Sequence, residues 1–194
     1  MLSLKDDEGE LIPIAFRPLH EMNGFWFWWG NPNCSKEEFK ALWRRTFDLL
    51  TKDFMASNLL FIYAPNMIGN AEEYLVNYPG DDYVDMLGLD MYQHGSSKVF
   101  KKDLKKNLEV LKQVANEKML PFALTEVGLE KVEDTNWWTT VLDEILVNSG
   151  ISWVLLWRNH TTSHFYVPYP NQLSVADFIT FKNKSHVLFL NDVK

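Results

Sequence analysis

Residues 12–30 read IPIAFRPLHEMNGFWFWWG, and this stretch predicts both a strand and a site. Pro13-Ile14-Ala15-Phe16 is an apolar run typical of a buried strand, and it ends in charge at Arg17. His20 and Glu21 follow, and then five aromatic residues occupy positions 25–29. A sugar-cleaving site needs a carboxylate beside aromatic residues. The aromatic faces stack on pyranose rings, and apolar surroundings can keep a carboxyl group protonated so that it acts as a general acid. The alternative is a core strand followed by an ordinary aromatic loop.

Composition limits the class of protein. The chain has 194 residues, 46% of them hydrophobic, so it can bury a sizeable core. A net charge of −7 argues against nucleic acid or an anionic membrane surface as a partner. Eight tryptophans fit either a carbohydrate-binding cleft or a large aromatic core. Cys34 is the single cysteine, so an internal disulfide is excluded.

Five strand-like segments alternate with helical patterns. The predicted strands are 12–18, 59–63, 84–92, 121–126 and 151–157, and they are apolar on both faces. Capping boxes at Ser35-x-x-Glu38 and Ser174-x-x-Asp177 predict the starts of two of the helices. Strands of this kind belong to a parallel sheet covered by helices.

Polar candidate residues fall where these strands end. They are Glu21, Asn66, Asp90, Tyr92, Glu126, Trp157 and Arg158. In a (β/α)8 TIM barrel that position is the carboxyl-terminal face, where catalytic groups gather. A doubly wound open sheet would place residues similarly, but it would be expected to carry a glycine-rich phosphate turn. No such turn is present in the sequence, so the barrel is the better interpretation.

Several motifs resemble one family of glycosidases. They are RPLHEMNG at 17–24, WWG at 28–30, LTEVG at 124–128, Trp157-Arg158-Asn159, and HFYVPYP at 164–170. In this order, over essentially the whole chain, they look like the β-mannanases of glycoside hydrolase family 26. That family has its acid/base after barrel strand four and its nucleophile after strand seven. The resemblance therefore implies that Glu21 is the acid/base and Glu126 the nucleophile of a retaining endo-β-1,4-mannan hydrolase.

The resemblance also implies substrate-binding roles for His20, Trp26, Asp90, Tyr92, Trp157 and Arg158. It implies no metal or organic cofactor, and β-mannan or a manno-oligosaccharide as the partner. From the residues alone, other interpretations stay open. Asp90 could bond to loop backbone, Arg158 could form a structural ion pair, and Tyr92 or Trp157 could be core aromatics. Trp28 and Trp29 could equally serve packing.

The resemblance places the five strands at barrel positions four to eight, so we expect a single, partial catalytic domain over 1–194. Open sheet edges would then favour self-association. Two alternatives follow: an inactive fragment that at most binds β-mannan, or a xylan- or glucan-cleaving relative. The sequence shows no signal peptide and no stretch long enough to span a membrane. We expect a full-length parent to be secreted, periplasmic or on the cell surface.

Overall fold

Strands and helices alternate as predicted in a computed structural model, which describes residues 4–193. The strands are β1 Ile14–Phe16, β2 Leu59–Tyr63, β3 Met86–Tyr92, β4 Phe122–Gly128 and β5 Val154–Leu156. The helices are α1 Lys36–Asp48, α2 Ala71–Leu75, α3 Ser97–Lys118, α4 Asp143–Leu146 and α5 Val175–Lys182. A π-helical turn over Leu49–Asp53 extends α1, and another over Trp138–Leu142 leads into α4. β1 and β5 have three residues each and are shorter than predicted.

The strands form one sheet in chain order, β1-β2-β3-β4-β5. Ala15 pairs with Leu60, and Ile62 pairs with Met86, both in parallel register. β3 and β4 are linked at their start by the bond from Leu87 N–H to the Pro121 carbonyl (3.0 Å). They are linked at their end by the bond from Gln93 N–H to the Gly128 carbonyl (2.9 Å). β4 and β5 pair in parallel through Leu124 and Val154.

The chain divides into two compact units. Unit 1 comprises the residues up to Asp90 together with Val110–Ala123, and unit 2 comprises Met91–Glu109 and the residues from Leu124 onward. The largest fully buried side chains of unit 1 are Met22, Phe39, Trp43, Phe61, Ile62, Tyr63 and Tyr74. Their polar atoms are paired: Trp43 Nε1 donates to the Tyr83 carbonyl (3.0 Å), and Tyr74 Oη donates to the Gly88 carbonyl (2.9 Å).

Unit 2 is built on two adjacent tryptophans. Trp137 and Trp138 are both fully buried, with ring centroids 5.0 Å apart, so they belong to the core of this unit. Trp137 Nε1 donates to Gln93 Oε1 (2.8 Å), and Trp138 Nε1 donates to Ser174 Oγ (3.1 Å). Burial of these indoles is therefore not opposed by unpaired N–H groups.

The two predicted capping boxes have different outcomes. At α1, Ser35 and Glu38 form the reciprocal pair, so that prediction is confirmed. At α5 the helix begins directly after Ser174 as predicted, but the capping box is not formed, because Ser174 makes no side-chain bond to the helix. Its hydroxyl donates to Gln172 and accepts from an indole, while Asp177 accepts from the N–H groups of residues 138 and 139. Tertiary partners have replaced the local ones.

Within residues 4–193, no helix combines the length and the apolar content needed to cross a membrane.

Candidate active site

Glu21 lies in unit 1 in an unusual backbone conformation. Its φ is +54°, and Leu19, two residues earlier, has a φ of +48°. The left-handed region is unfavourable for residues other than glycine, and such strain tends to occur at functional positions. The Glu21 N–H donates to the Ala64 carbonyl just beyond β2 (2.8 Å). That bond aligns the segment after β1 with the end of β2, and the Glu21 side chain is 8% exposed.

Both carboxylate oxygens of Glu21 accept hydrogen bonds. Asn66 Nδ2 donates to Oε1 (2.7 Å), and Trp26 Nε1 donates to Oε2 (2.7 Å). Gly24 makes room for the indole, because a Cβ at position 24 would lie 2.4 Å from the Trp26 ring. The sequence predicts Trp26 as a stacking platform. The structure adds a contact that sequence reasoning missed, and it leaves the Trp26 side chain about half exposed.

Asn66 is itself fixed by Asn23 of the RPLHEMNG motif. Asn23 Oδ1 accepts from the Asn66 N–H (2.8 Å), and Asn23 Nδ2 donates to the carbonyls of Asn66 (3.0 Å) and Met67 (3.2 Å). Its position at a strand end makes Asn66 a candidate site residue in the sequence. The sequence does not show that Asn66 bonds to Glu21. This asparagine pair therefore orients one of the two donors to the candidate acid/base.

His20 contacts the aromatic wall that follows it. Its ring lies 4.9 Å from the Phe27 ring, and Trp29 Nε1 donates to the His20 carbonyl (2.9 Å). Phe27 and Trp29 stack with centroids 4.3 Å apart, so Trp29 serves packing. Phe25 and Trp28 are instead largely exposed. The aromatic run thus divides into a packed pair and a solvent-facing pair.

Asp90, near the end of β3, is fully buried and is paired with a cation. Arg17 Nη1 lies 2.5 Å from Asp90 Oδ2, and the Asp90 N–H donates to the Pro65 carbonyl (3.0 Å). The ion pair fixes the carboxyl end of β1 against that of β3 in unit 1. The sequence shows the charge of Arg17 at the end of the first apolar run. It does not show that Asp90 is the partner of Arg17, because the two residues are 73 positions apart.

Glu126, in unit 2, is also buried and held by a neighbour. It lies in β4 with 3% of its surface exposed. Tyr92 Oη, at the end of β3, donates to Glu126 Oε2 at 2.5 Å. A hydrogen bond from a phenol to a carboxylate is charge-assisted and therefore strong. The structure thus brings together two of the residues predicted from sequence, and the Tyr92 ring is more than a core aromatic.

Tyr166 is a neighbour of this pair that sequence reasoning did not single out. Its ring meets the Tyr92 ring edge-on at 5.4 Å, and a Cβ on Gly128 would lie 2.4 Å from its Cδ1. Asn159 Oδ1 accepts from the N–H groups of residues 166 and 167 (3.0 Å each) and so fixes the loop. Burial, and then the negative charges of Glu130 and Glu126, raise the pKa of Tyr166. The only signal in the sequence was the resemblance of HFYVPYP to the family loop.

The remaining predicted site residues follow β5. Trp157 is half-buried, and its N–H approaches the Val127 carbonyl of β4 at 3.4 Å. Arg158 is exposed, and within residues 4–193 it takes part in no ion pair. In the same loop, His164 Nδ1 lies 2.9 Å from Glu130 Oε1. In the described part of the chain, neither unit by itself gathers three metal-ligating side chains.

Each unit therefore carries a buried carboxylate at the carboxyl end of parallel strands. Such groups can act as a proton donor, a proton acceptor or a nucleophile. Glu21 has a donor on each oxygen, and Glu126 has the Tyr92 phenol on one.

Comparisons with known proteins agree on one family. The profile of Glycosyl hydrolase family 26 matches residues 2–148. A mannan endo-1,4-beta-mannosidase of Bifidobacterium adolescentis is 40% identical over 130 residues, which are 64% of this chain and 13% of that protein. One of Bacillus subtilis strain 168 is 34% identical over 131 residues, which are 64% of this chain and 33% of that protein.

A solved structure matches over the full length. The GH26 beta-mannanase BoMan26A of Bacteroides ovatus is 44% identical with a TM-score of 0.94, covering 100% of this chain and 56% of that one. The fold class predicted from sequence, a partial (β/α)8 barrel, is confirmed. The chain thus spans about half of that structure and a third or less of the two curated relatives.

Proposed function

This chain belongs to glycosyl hydrolase family 26, and on that premise we propose that it carries the catalytic carboxylates of a retaining endo-β-1,4-mannan hydrolase. The proposal rests chiefly on the setting of Glu21: buried, in a strained conformation within RPLHEMNG, and bonded at both oxygens. A glutamate that merely preceded a turn would gain nothing from that arrangement. Two relatives of this chain are named mannan endo-1,4-beta-mannosidases, and by that name they act on mannan.

In the proposed reaction, Glu126 attacks the anomeric carbon and forms a glycosyl-enzyme as the glycosidic C–O bond breaks. Glu21 gives its proton to the leaving oxygen. Glu21 then takes a proton from water, which attacks the anomeric carbon and releases Glu126. Tyr92 holds one carboxylate oxygen of Glu126 and so orients the nucleophile.

The substrate-binding roles are proposed for the same residues as before. Half of the Trp26 side chain is exposed, so a sugar can stack on it while its N–H remains on Glu21. Trp157 supplies a half-buried surface at the end of β5, and Arg158 reaches into solvent. His20 completes the set of residues proposed to contact the sugar. Asp90 is fully buried and paired with Arg17, so the role proposed for it is to support the sugar-binding residues at the strand ends.

The decisive experiment follows reducing-sugar release from β-mannan. We expect Glu126→Gln to abolish release and the exposed Glu109→Gln, on α3, to leave it unchanged. Glu21→Ala should lose about 10²–10⁴-fold on mannan. Its kcat/KM should fall far less on a dinitrophenyl β-mannobioside, because the leaving phenolate needs no proton and kcat/KM reports only the formation of the glycosyl-enzyme. A β-anomer as the first product, seen by proton NMR, would establish retention, and full activity of Glu21→Ala on mannan would refute the assignment.

A second candidate is favoured by the extent of the chain, which spans 56% of the solved relative. According to this second candidate, the chain binds β-mannan without cleaving the polymer. Retarded migration in a mannan-containing gel, with no product from any polymer, would support this candidate. A panel of mannan, xylan and β-glucan would separate a mannanase from a relative with another specificity.

Because such polymers lie outside cells, we also propose that the parent protein is exported, which fractionation would test.

A further inference from the structure

The segment that follows β4 in unit 2 has a strained backbone. Lys131 and Val132 have φ values of +64° and +43°, and the Val132 side chain is fully buried. Such a conformation is an outlier for a β-branched residue, and it persists only where the surrounding structure imposes it. Here the Lys131 N–H donates to the Phe165 carbonyl (2.8 Å), and Gln172 Nε2 donates to the carbonyls of both strained residues (3.1 Å each). These bonds fix the segment against the loop that follows β5.

Glu130, directly before the strained residues, faces His164 of that loop. His164 Nδ1 lies 2.9 Å from Glu130 Oε1. Because an ionised carboxylate can only accept, we assign the hydrogen to Nδ1, which leaves Nε2 of the neutral ring as an acceptor. The two side chains are 36% and 49% exposed. The pair therefore presents two neighbouring acceptors to solvent, His164 Nε2 and the second oxygen of Glu130.

The backbone of His164 is held as firmly as the segment after Glu130. The His164 carbonyl accepts from the N–H groups of residues 160 and 161 (3.0 and 3.1 Å), and its own N–H donates to the Thr161 carbonyl (3.1 Å). An exposed ion pair by itself contributes little to stability, so it does not explain why the strain beside it is maintained. Acceptors in fixed positions lose little freedom when they bind a ligand. Two such acceptors suit adjacent hydroxyl groups, which every sugar ring carries.

A row of rings connects this pair to Glu126. The His164 ring meets the Tyr166 ring edge-on at 5.6 Å. Tyr166 in turn meets Tyr92 at 5.4 Å, and Tyr92 Oη donates to Glu126. Besides burial, the charges of Glu130 and Glu126 raise the pKa of Tyr166, so both carboxylates lie near its hydroxyl. The acceptor pair is therefore two ring contacts away from Tyr92, which holds the proposed nucleophile.

We propose that Glu130 and His164 bind two adjacent hydroxyl groups of the second sugar on the non-leaving side of the cleaved bond. The first sugar on that side carries the anomeric carbon and so lies against Glu126, and a pair two ring contacts further along unit 2 reaches the next sugar. Mannose and glucose differ in the direction of one hydroxyl group, so fixed acceptors also discriminate between them. This inference rests on the proposed function, which defines the cleaved bond.

The test uses the chain with Glu126→Gln, so that no sugar is cleaved, and heteronuclear NMR of the imidazole groups. Mannobiose should shift the Nε2 resonance of His164, which is identified by its loss in His164→Ala. Glu130→Ala should weaken mannobiose binding about 10-fold in isothermal titration, because a charge-assisted contact and the orientation of His164 are both lost. The free energy of unfolding in urea should stay unchanged, since the pair is partly exposed. Glu133→Ala, which removes an exposed glutamate of the same segment, is the matched control and should bind normally.

A His164 resonance that does not move at saturating mannobiose overturns the proposal, and so does a chain that binds no mannobiose. Binding that Glu130→Ala leaves unchanged, or that Glu133→Ala weakens equally, also overturns it. The proposed function is tested separately, by turnover of dinitrophenyl β-mannobioside with the unsubstituted chain. Turnover without the His164 shift refutes the acceptor pair alone, and the shift without turnover refutes the hydrolase alone.

Discussion

Gly128→Ala provides a sharp test of how the site in unit 2 is packed. Gly128 is outside the left-handed region, so its backbone accepts alanine, but the new Cβ would meet Tyr166 Cδ1 at 2.4 Å. Ordinary contact begins near 3.4 Å, so the Tyr166 ring must retreat by about 1 Å. Asn159 resists this movement because it fixes the backbone of Tyr166. The displaced ring would in turn press on Tyr92, which holds Glu126.

The size of the effect follows from two opposing contributions. Overpacking costs about 1–3 kcal/mol, and the reduced freedom of the unfolded chain returns about 0.4–1 kcal/mol. We therefore expect Gly128→Ala to lower the free energy of unfolding by about 1–2 kcal/mol. With Tyr166→Ala already present the clash is gone, so the same change should be neutral or slightly stabilising. The coupling energy between the two positions should then be about 1–3 kcal/mol.

The assay is urea unfolding followed by tryptophan fluorescence, on the four proteins of this cycle. Gly95→Ala is the matched control, because a Cβ there would meet nothing within 4 Å. It should not lower the stability. Additive effects of Gly128→Ala and Tyr166→Ala, with a coupling energy below about 0.5 kcal/mol, would refute the packing argument.

Three further changes test other parts of the molecule. Arg17→Met should lower the free energy of unfolding by about 3–5 kcal/mol, because it removes a charged partner of the fully buried Asp90 carboxylate, and an unchanged urea midpoint would contradict this. Ser35→Ala should cost about 1 kcal/mol through loss of the capping box, as read from thermal unfolding, whereas no loss would show that the cap is not needed. Burial raises the pKa values of Tyr63 and Tyr74. The stability that their neutral forms contribute is therefore present below the unfolded pKa of about 10 and is lost as the pH rises above it. The melting temperature should fall in alkali for this reason. A melting temperature that stays constant up to about pH 12 would contradict this.

Much of the secondary structure was predictable because its signals are local. The strand at Leu59–Tyr63 and the helix that starts after Ser35 follow from runs of neighbouring residues. The second capping box failed because its side chains found partners in another part of unit 2, which a local pattern cannot show.

The sequence by itself determined the two glutamates as the candidate chemistry, since motifs of eight and five residues carry that information. The partners of those glutamates were decided only by the tertiary structure. Asn66 meets Glu21 across 45 residues, and Tyr92 meets Glu126 across 34. Such contacts depend on which strands are neighbours and in which register, because parallel strands bring their carboxyl ends to one edge of a sheet whatever their distance along the chain.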